Sequence, residues 1–357
     1  MFLCTIINED LRLFKMFKNA YPFCRCTHHC NTHIAFSCGF CAKLDKTLPE
    51  RYNYKKQWKE DDAMQWYDEW AEQHAQNYNK KHAAFYAEPS TEYIAPFKMA
   101  DDLYYVGDRL VCVHLIRTDE GLILLDAGYH CTKHLLLASI IRLGFDPADV
   151  RWIILTHAHF DHFGAANEFR NLYGTKVALS AVDAASMREK PFRAIGSFTN
   201  APYFLPVIDR ELEDGEIFSF GGKQIRCVLT PGHTLGTMSF FFDVTDGGNT
   251  YLAGQYGGAG VNALKLPYML HYQLPLDMPH RMVASLERIK DEPVAVHLGN
   301  HPYNSCTFQK RERQLKEGGN PFVDTSTWPK FVEDIRQKSL KIIEENAELA
   351  RQHQIDL

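Results

Sequence analysis

Three imidazoles and one carboxylate lie within six consecutive positions of this sequence, at His157, His159, Asp161 and His162. An apolar segment, 151–155, comes directly before them, and a predicted helix begins near Gly164. Imidazole nitrogen is a preferred ligand of zinc, and a carboxylate adds a hard oxygen ligand. A loop at the carboxyl end of a strand is also where open α/β sheets place their ligand sites. The pattern predicts a metal site on this loop, and solvated surface histidines are the alternative.

More histidines follow other predicted strands, and a metal site needs more ligands than one loop supplies. His233 stands in a Thr-Pro-Gly-His-Thr stretch directly after the apolar segment 225–229. His297 and His301 belong to a second β-rich stretch near residue 294. Because three strand ends each deliver histidine, the sequence predicts a composite site, with His233 and either His301 or His297 as further ligands.

The segments that would position these residues alternate between strand and helix. Short apolar runs bounded by turn residues predict strands at 103–106, 111–116, 122–125, 152–155, 176–179, 216–229, 237–244 and 250–253. Helical spacing of apolar residues predicts helices at 58–86, 134–143, 164–172 and 181–189, and a long amphipathic helix from about residue 329. The pattern favours an α/β (α+β) fold in which helices cover the outer faces of mixed sheets.

Composition and cysteine usage narrow the function classes. The formal net charge of -5 does not suggest a nucleic-acid partner, and the lack of a long apolar run predicts no membrane span. Six of the ten cysteines fall within residues 4–41, where a small zinc site and an irregular leader are both open interpretations. The other cysteines are scattered and no clear signal peptide precedes them, so we expect a cytoplasmic protein.

The motifs resemble the metallo-β-lactamase superfamily. His157-Ala-His-Phe-Asp-His162 with a later Pro-Gly-His-Thr carries the resemblance, and the flanks 121–128, 143–155 and 214–216 agree with it. It extends over residues 95–310 and is closest to the third subclass of metallo-β-lactamases. It implies a four-layer αβ/βα sandwich with N-terminal and C-terminal helical extensions. The expected parts are an irregular Cys-rich leader (1–57), a helical extension (58–91), the hydrolase domain (92–310) and an amphipathic helix (311–357).

The resemblance also implies a ligand set and two zinc ions per chain. His157, His159 and His233 would hold the first zinc, and the second would lie on Asp161, His162 and His301. His301 is preferred to His297 because His-Pro matches the family's end motif. Gln255 stands where glyoxalase II-type relatives place a bridging aspartate, and an amide bridges metals poorly. Asp126 is expected to support the loop by hydrogen bonds.

The implied activity is hydrolysis of an amide or ester carbonyl by a hydroxide that zinc generates, with β-lactam ring opening included. Asp161 would position that hydroxide and Tyr256 would donate to the developing oxyanion. The glycine-rich stretch 255–260 would let a small-molecule substrate approach the backbone. A lactonase or esterase and a di-iron redox protein are the alternatives, and iron or manganese could replace zinc. The terminal helices are the expected contact surface of a homo-oligomer.

Overall fold

The computed structural model of the protein describes residues 65–195 and 204–357. Its described strands are β1 (Phe97–Ala100), β2 (Leu103–Tyr105), β3 (His114–Thr118), β4 (Gly121–Leu125), β5 (Val150–Ile154), β6 (Lys176–Ser180), β7 (Arg210–Leu212), β8 (Ile217–Phe220), β9 (Lys223–Leu229), β10 (Met238–Asp246), β11 (Asn249–Gln255) and β12 (Val296–Leu298). The described α-helices are α1 (Trp66–Ala87), α2 (Lys133–Arg142), α3 (Ala166–Tyr173), α4 (Ala181–Glu189), α5 (Leu266–His271), α6 (Met278–Ile289), α7 (Thr307–Glu317) and α8 (Thr327–His353). Over these two ranges, none of the helices combines the length and apolar character needed to span a bilayer.

The strands form two sheets whose order follows the chain closely. The seven-stranded sheet runs β1-β2-β3-β4-β5-β6-β7. Its pairs are antiparallel as far as β3–β4 and parallel from β4–β5 onward. The five-stranded sheet runs β12-β11-β10-β9-β8, and only the β11–β12 pair is parallel among these described strands. Parallel pairing brings the carboxyl ends of β4, β5 and β6 to one edge, and those of β11 and β12 likewise meet at an edge of the second sheet.

Both faces of the central strands are buried, which explains their continuous apolar sequences. In β4, Leu122 and Leu124 face a core with helices α2 and α3, while Ile123 and Leu125 face the second sheet. Phe240 and Phe242 of β10 meet them from that sheet, and Phe241 points outward to α6 and α8. The layers are therefore helix, sheet, sheet and helix. This is the predicted four-layer αβ/βα sandwich, and the fold prediction is confirmed.

Two predicted elements are divided in the structure. The single strand predicted at 216–229 is a hairpin of β8 and β9, because Gly221 and Gly222 turn the chain with φ of 52° and 78°. The C-terminal region 311–357 contains the end of α7 and the whole of α8 instead of one helix. Gly318 and Gly319, with φ of 75° and 69°, end α7. The short strands β1 and β7 were not predicted, because three or four residues carry too little periodicity, whereas β12 contains His297 and lies in the β-rich stretch that the sequence indicated.

Helix α1 corresponds to the N-terminal helix predicted at 58–86, of which 58–64 lie outside the described residues, as does the Cys-rich leader. Its side chains contact three separate parts of the chain. The Tyr78 hydroxyl lies 3.2 Å from that of Tyr129. Asp68 pairs with His271 of α5 at 2.7 Å. Trp66 stacks on His353 at the end of α8, with ring centroids 4.1 Å apart. The two terminal helices therefore contact each other within one chain.

A buried amide fastens α8 to the start of α5. The Asn346 Oδ1 atom accepts from the Leu266 backbone N–H at 2.8 Å, and its Nδ2 donates to the Leu264 carbonyl at 2.8 Å. Asn346 is 5% exposed. One side chain thus satisfies backbone groups at the N-terminus of a short helix that has no side-chain cap of its own.

Replacing Asn346 with alanine should lower the free energy of unfolding by about 1–3 kcal/mol, because two buried backbone groups lose their partner. Urea unfolding followed by circular dichroism measures the change. Gln352→Ala is the matched control, since Gln352 bonds Glu348 on the exposed face of the same helix. It should shift stability by less than about 0.5 kcal/mol. Equal losses in both variants would show that the hydrogen bonds of Asn346 to Leu264 and Leu266 do not stabilise the fold.

Candidate metal centre

The loop 156–162 joins β5 to the segment before α3 and lies at the carboxyl end of β5. It contributes four of the side chains that gather at this edge of the two sheets. One group of side chains contains His157, His159 and His233, and the other contains Asp161, His162 and His301. Within each group, one potential ligand atom per residue lies within 4.8 Å of the others. The structure thus brings together all six residues that the sequence singled out.

In the first group, three imidazoles surround a common space. His159 Nδ1 lies 3.0 Å from His233 Nε2. The ring centroid of His157 lies 4.7 Å from those of both His159 and His233, and the rings are nearly perpendicular. His157 is 1% exposed. The group is therefore a compact set of nitrogen ligands in which His157 and His159 are buried and His233 is partly buried.

The second group combines two imidazoles with a carboxylate. Asp161 Oδ2 lies 3.5 Å from His162 Nε2 and 3.8 Å from His301 Nε2. The His157 and His162 ring centroids are 4.3 Å apart, so the two groups adjoin. The Asp161 side chain is 14% exposed, which leaves its carboxylate in reach of solvent while His162 is buried.

Four of the five imidazoles are fastened by the ring nitrogen that faces away from the cluster. The Nδ1 atoms of His157, His233 and His301 donate to the carbonyls of Gly257, Gly260 and Leu110, at 2.8, 2.7 and 2.7 Å. The Nδ1 of His162 donates to Asp126 Oδ2 at 2.9 Å. Since a carbonyl or carboxylate oxygen can only accept, these nitrogens carry the protons. In the neutral rings, the Nε2 atoms therefore present lone pairs to the centre.

Asp126 anchors the loop 156–162 by hydrogen bonds. Its Oδ1 accepts from the Thr156 N–H at 2.8 Å, and the Thr156 hydroxyl bonds the same carboxylate. Its other oxygen takes the His162 proton. Asp126 is fully buried and adopts a φ of 63°, a backbone conformation that aspartate tolerates better than most residues. It supports the loop as the sequence analysis expected.

Asp183 joins the loop to the strand end that carries His233, and sequence reasoning missed it. Its Oδ2 accepts from the Ala158 N–H at 2.9 Å and from the Thr234 hydroxyl at 2.7 Å. Its Oδ1 accepts from the Gly236 N–H at 2.7 Å. Asp183 belongs to α4, between Ala184 and an exposed valine, and nothing in that local pattern marks it. Its role depends on two loops that are distant in the sequence and adjacent in the folded chain.

The glycine-rich stretch 255–260 approaches the histidines closely, and the approach of a substrate to this backbone stays a prediction. A Cβ atom on Gly258 or Gly260 would lie 2.6 or 2.7 Å from ring atoms of His233. The carbonyls of Gly257 and Gly260 are the acceptors described above for His157 and His233. Glycine is required here so that the backbone can come close enough to bond the rings.

Burial keeps most of the cluster neutral. It lowers the pKa of His157 and His159 well below the ordinary value, and neighbouring imidazoles lower it further. Burial lowers the pKa of His233 to about 4. Burial opposes charge on His162 too, but Asp161 and Asp126 together raise its pKa. Because burial makes a protonated ring costly, the inward lone pairs stay available to a divalent cation that all of them can share.

The donor set fits divalent metal ions. Among the described residues His157 Nε2 is buried and has no hydrogen-bond partner, although it faces the centre of the first group. Five imidazoles and one carboxylate supply the nitrogen-rich ligands that zinc prefers. An unpartnered buried nitrogen is costly, and a coordinated cation would remove that cost.

Tyr256 and His297 do not join the six. The Tyr256 hydroxyl donates to Met282 Sδ at 2.7 Å in the core between β11 and the outer helices. The prediction of an oxyanion donor is therefore wrong, because residue 256 follows the inward-facing Gln255 and points to the opposite face of the sheet. His297 packs between Trp328 and Phe331, with ring centroids 5.3 and 4.6 Å away. Gln255 is fully buried between the sheets.

Sequence comparisons match part of the chain to a known family and to individual hydrolases. Residues 106–247 match the family model of the metallo-beta-lactamase superfamily. A hydroxyacylglutathione hydrolase of Acidiphilium cryptum is 32% identical over 91 residues, which make up 26% of this chain and 30% of that protein. The probable polyketide biosynthesis zinc-dependent hydrolase BaeB of Bacillus velezensis is 28% identical over 172 residues, or 47% of this chain and 64% of that protein. The chain thus spans less than two thirds of the length of these relatives.

Solved structures of subclass B3 metallo-beta-lactamases share the architecture. BJP-1 of Bradyrhizobium japonicum superposes with a TM-score of 0.65 at 24% identity, covering 72% of this chain and 97% of that one. Native FEZ-1 of Legionella gormanii gives a TM-score of 0.65 at 25% identity, covering 72% and 98%. These enzymes and this chain have the same arrangement of layers.

The isolation of His297 predicts how stability depends on pH. Burial lowers the pKa of His297 to about 3, and both ring nitrogens lack partners among the described residues. His297 in the unfolded chain binds a proton near pH 6.5, whereas in the folded chain it stays neutral down to about pH 3. The free energy of unfolding therefore decreases as the pH falls from about 6.5 towards 3. Between pH 7.5 and pH 5 this one residue should account for a loss of about 2 kcal/mol.

His297→Leu should abolish that share of the loss while leaving the protein at least as stable at pH 7.5, because an unsatisfied polar ring becomes apolar. Urea unfolding of both proteins at the two pH values gives the comparison. His134→Leu, at an exposed position of α2, is the control and should leave the acid loss unchanged. A His297→Leu protein that loses as much stability in acid as the wild type would contradict the assignment.

Proposed function

We propose that this chain, which carries a metallo-β-lactamase superfamily domain, is a metal-dependent hydrolase of amide or ester carbonyl groups. The observation that carries the proposal is the convergence of five imidazoles and one carboxylate at one sheet edge, with four rings fastened by their outer nitrogens. Such fastening is typical of metal-binding histidines. An apolar or merely structural cluster would have no need to keep lone pairs directed at its centre.

The proposed ligands follow the two groups. His157, His159 and His233 would hold one zinc ion, and the second would lie on Asp161, His162 and His301. Zinc supplies a hydroxide nucleophile at neutral pH and polarises the carbonyl that is attacked. Two ions per chain and the identity of the metal in cells belong to the proposal, as does a cytoplasmic location.

The chain's own residues would orient the reaction. The partly exposed Asp161 carboxylate lies between His162 and His301 and would accept a hydrogen bond from the attacking water, fixing its direction. Asp126 would hold His162 in one tautomer throughout the reaction. Deep burial of His157 and His159 would exclude bulk water from the first group and strengthen every electrostatic interaction there.

β-Lactams are one candidate substrate class, because the similar solved structures are β-lactamases. A lactone or ester is the second, and the recess described below favours it. A di-iron redox function receives no support, since an amide, Gln255, occupies the place where such a protein needs a bridging carboxylate. A homo-oligomer through the terminal helices stays a prediction.

Elemental analysis of purified protein should find two zinc ions per chain, and chelation should abolish hydrolysis of nitrocefin or of simple esters. His157→Ala should lose about one ion and reduce kcat/KM by at least about 100-fold, because both the nucleophile and its electrostatic support are lost. His134→Ala on the exposed face of α2 is the control and should keep both metal and activity. Full metal content and turnover in His157→Ala would sink the ligand assignment.

Asp126→Asn tests the support of His162 without touching a proposed ligand. The amide can still accept from Thr156, but its NH2 group cannot accept the His162 proton, so the ring loses its preferred tautomer. Zinc affinity at the second position should fall about 10–100-fold. Competition with a chromophoric chelator measures it. Asp146→Asn, in the exposed turn before β5, should leave the affinity unchanged. Unaltered zinc binding by Asp126→Asn would mean that His162 needs no such anchor.

A further inference from the structure

A recess opens directly beside the metal centre, and no function has yet been assigned to it. His159 and His233 form one wall of it, so a molecule bound in the recess touches the first group of histidines. Its volume is about 360 Å³, counting the part that is open to solvent. Since this figure includes open solvent, the enclosed part of the recess suits a small group and not a bulky one.

The side chains that extend outward from the two histidines are mostly apolar or aromatic. Met187 of α4, Leu235 and Leu274 line the recess together with Tyr268 and Tyr272. The two tyrosine rings pack against each other with centroids 4.5 Å apart. Trp70 of α1 meets Tyr268 edge-on at 6.5 Å, so α1 backs this wall from outside.

The charged side chains that line the recess already have hydrogen-bond partners within the protein. Arg193 is the one Lys or Arg side chain among the described residues that line it. Its Nε donates to the Tyr272 carbonyl at 3.1 Å, its Nη1 to Ser186 Oγ at 3.3 Å and its Nη2 to the Gln273 carbonyl. Asp183 also lines the recess, but its carboxylate accepts the three bonds that tie the loops together.

We infer that the recess binds a short, uncharged aliphatic acyl chain, and that the substrate is a neutral ester or lactone whose carbonyl lies at the metal centre. The inference rests on the proposed hydrolase function and specifies its substrate class. The Arg193 charge is opposed by the Asp183 carboxylate in the same recess, so an anionic chain would leave water without meeting a net positive charge from the lining residues, which is unfavourable. A neutral chain gains contact with Met187, Leu235 and Leu274 instead.

The reaction on such a substrate is balanced by water alone. The water oxygen forms a new bond to the carbonyl carbon, and the bond from that carbon to the alkoxy oxygen breaks. One proton of the water ends on the departing alcohol, and the acid product releases the other to solvent.

Two esters of equal chain length provide the sharpest test. The p-nitrophenyl esters of butyrate and of succinate (the mono-ester) differ only in a terminal carboxylate in place of a methyl group. We expect kcat/KM of the zinc-loaded enzyme to be at least about 30-fold higher for the butyrate ester. Saturation-transfer NMR of the metal-free protein with butyramide and succinamate gives a second readout without turnover, and butyramide alone should show transfer.

Filling the recess should remove the preference for the longer chain. Leu274→Trp should lower kcat/KM for the butyrate ester by at least about 10-fold and leave the acetate ester, which does not reach the recess, nearly unchanged. Leu315→Trp is the matched control, because Leu315 is 69% exposed on α7 and does not line the recess. Zinc content and the thermal melting curve should be those of wild type in both variants.

The outcomes separate the two levels of the proposal. Equal kcat/KM for the butyrate and succinate esters, or transfer to succinamate, would overturn the inference about the recess while leaving hydrolysis intact. A fall on both acetate and butyrate in Leu274→Trp would also overturn it. Zinc-loaded protein that cleaves no ester, lactone or lactam would overturn the proposed function, and the NMR comparison would still decide whether the recess binds a neutral chain.

Discussion

Hydrogen bonds from the outer nitrogens of buried imidazoles are the constraint on which the metal centre depends. Without them, neutral rings packed in a buried space would be free to turn and bond each other. The 3.0 Å separation of His159 Nδ1 and His233 Nε2 shows how close the rings lie. The acceptors come from three different segments, around Leu110, Asp126 and the stretch 257–260. The strand ends of the two sheets bring those segments to one edge, so the four-layer fold and the ring orientations are two aspects of one arrangement.

Much of this could be predicted from the sequence because its signals are local. The spacing of His157, His159, Asp161 and His162 after an apolar strand marks the loop, and the alternation of strands and helices indicates the layers. Asp183 could not be found that way, since its value lies in joining Ala158 to Gly236 across two loops. Tyr256 was misplaced for a related reason. A strand's alternation decides which face a residue takes, and the sequence did not reveal where β11 ends.

The glycines near residue 257 have a structural role that the sequence did not indicate. Their freedom suggested room for a ligand, whereas the structure uses it to bring carbonyl groups against His157 and His233. The recess beside the histidines is lined instead by residues of α4 and α5 and by Tyr272, and not by this stretch. Sequence alone supplied no sign of it, because its lining residues come from five separate segments of the chain and form no local motif.

The bond between Asn346 and the start of α5 extends the reach of the C-terminal helix. Helix α5 carries Tyr268, so the position of that ring depends on a side chain nearly eighty residues further along the chain, on the outer surface layer. Substitutions along α8 that tilt this helix would reshape the tyrosine wall without altering any group that meets a bound molecule. Substitutions in α8 could therefore change which molecules fit the recess, while the histidines of the metal centre stay the same.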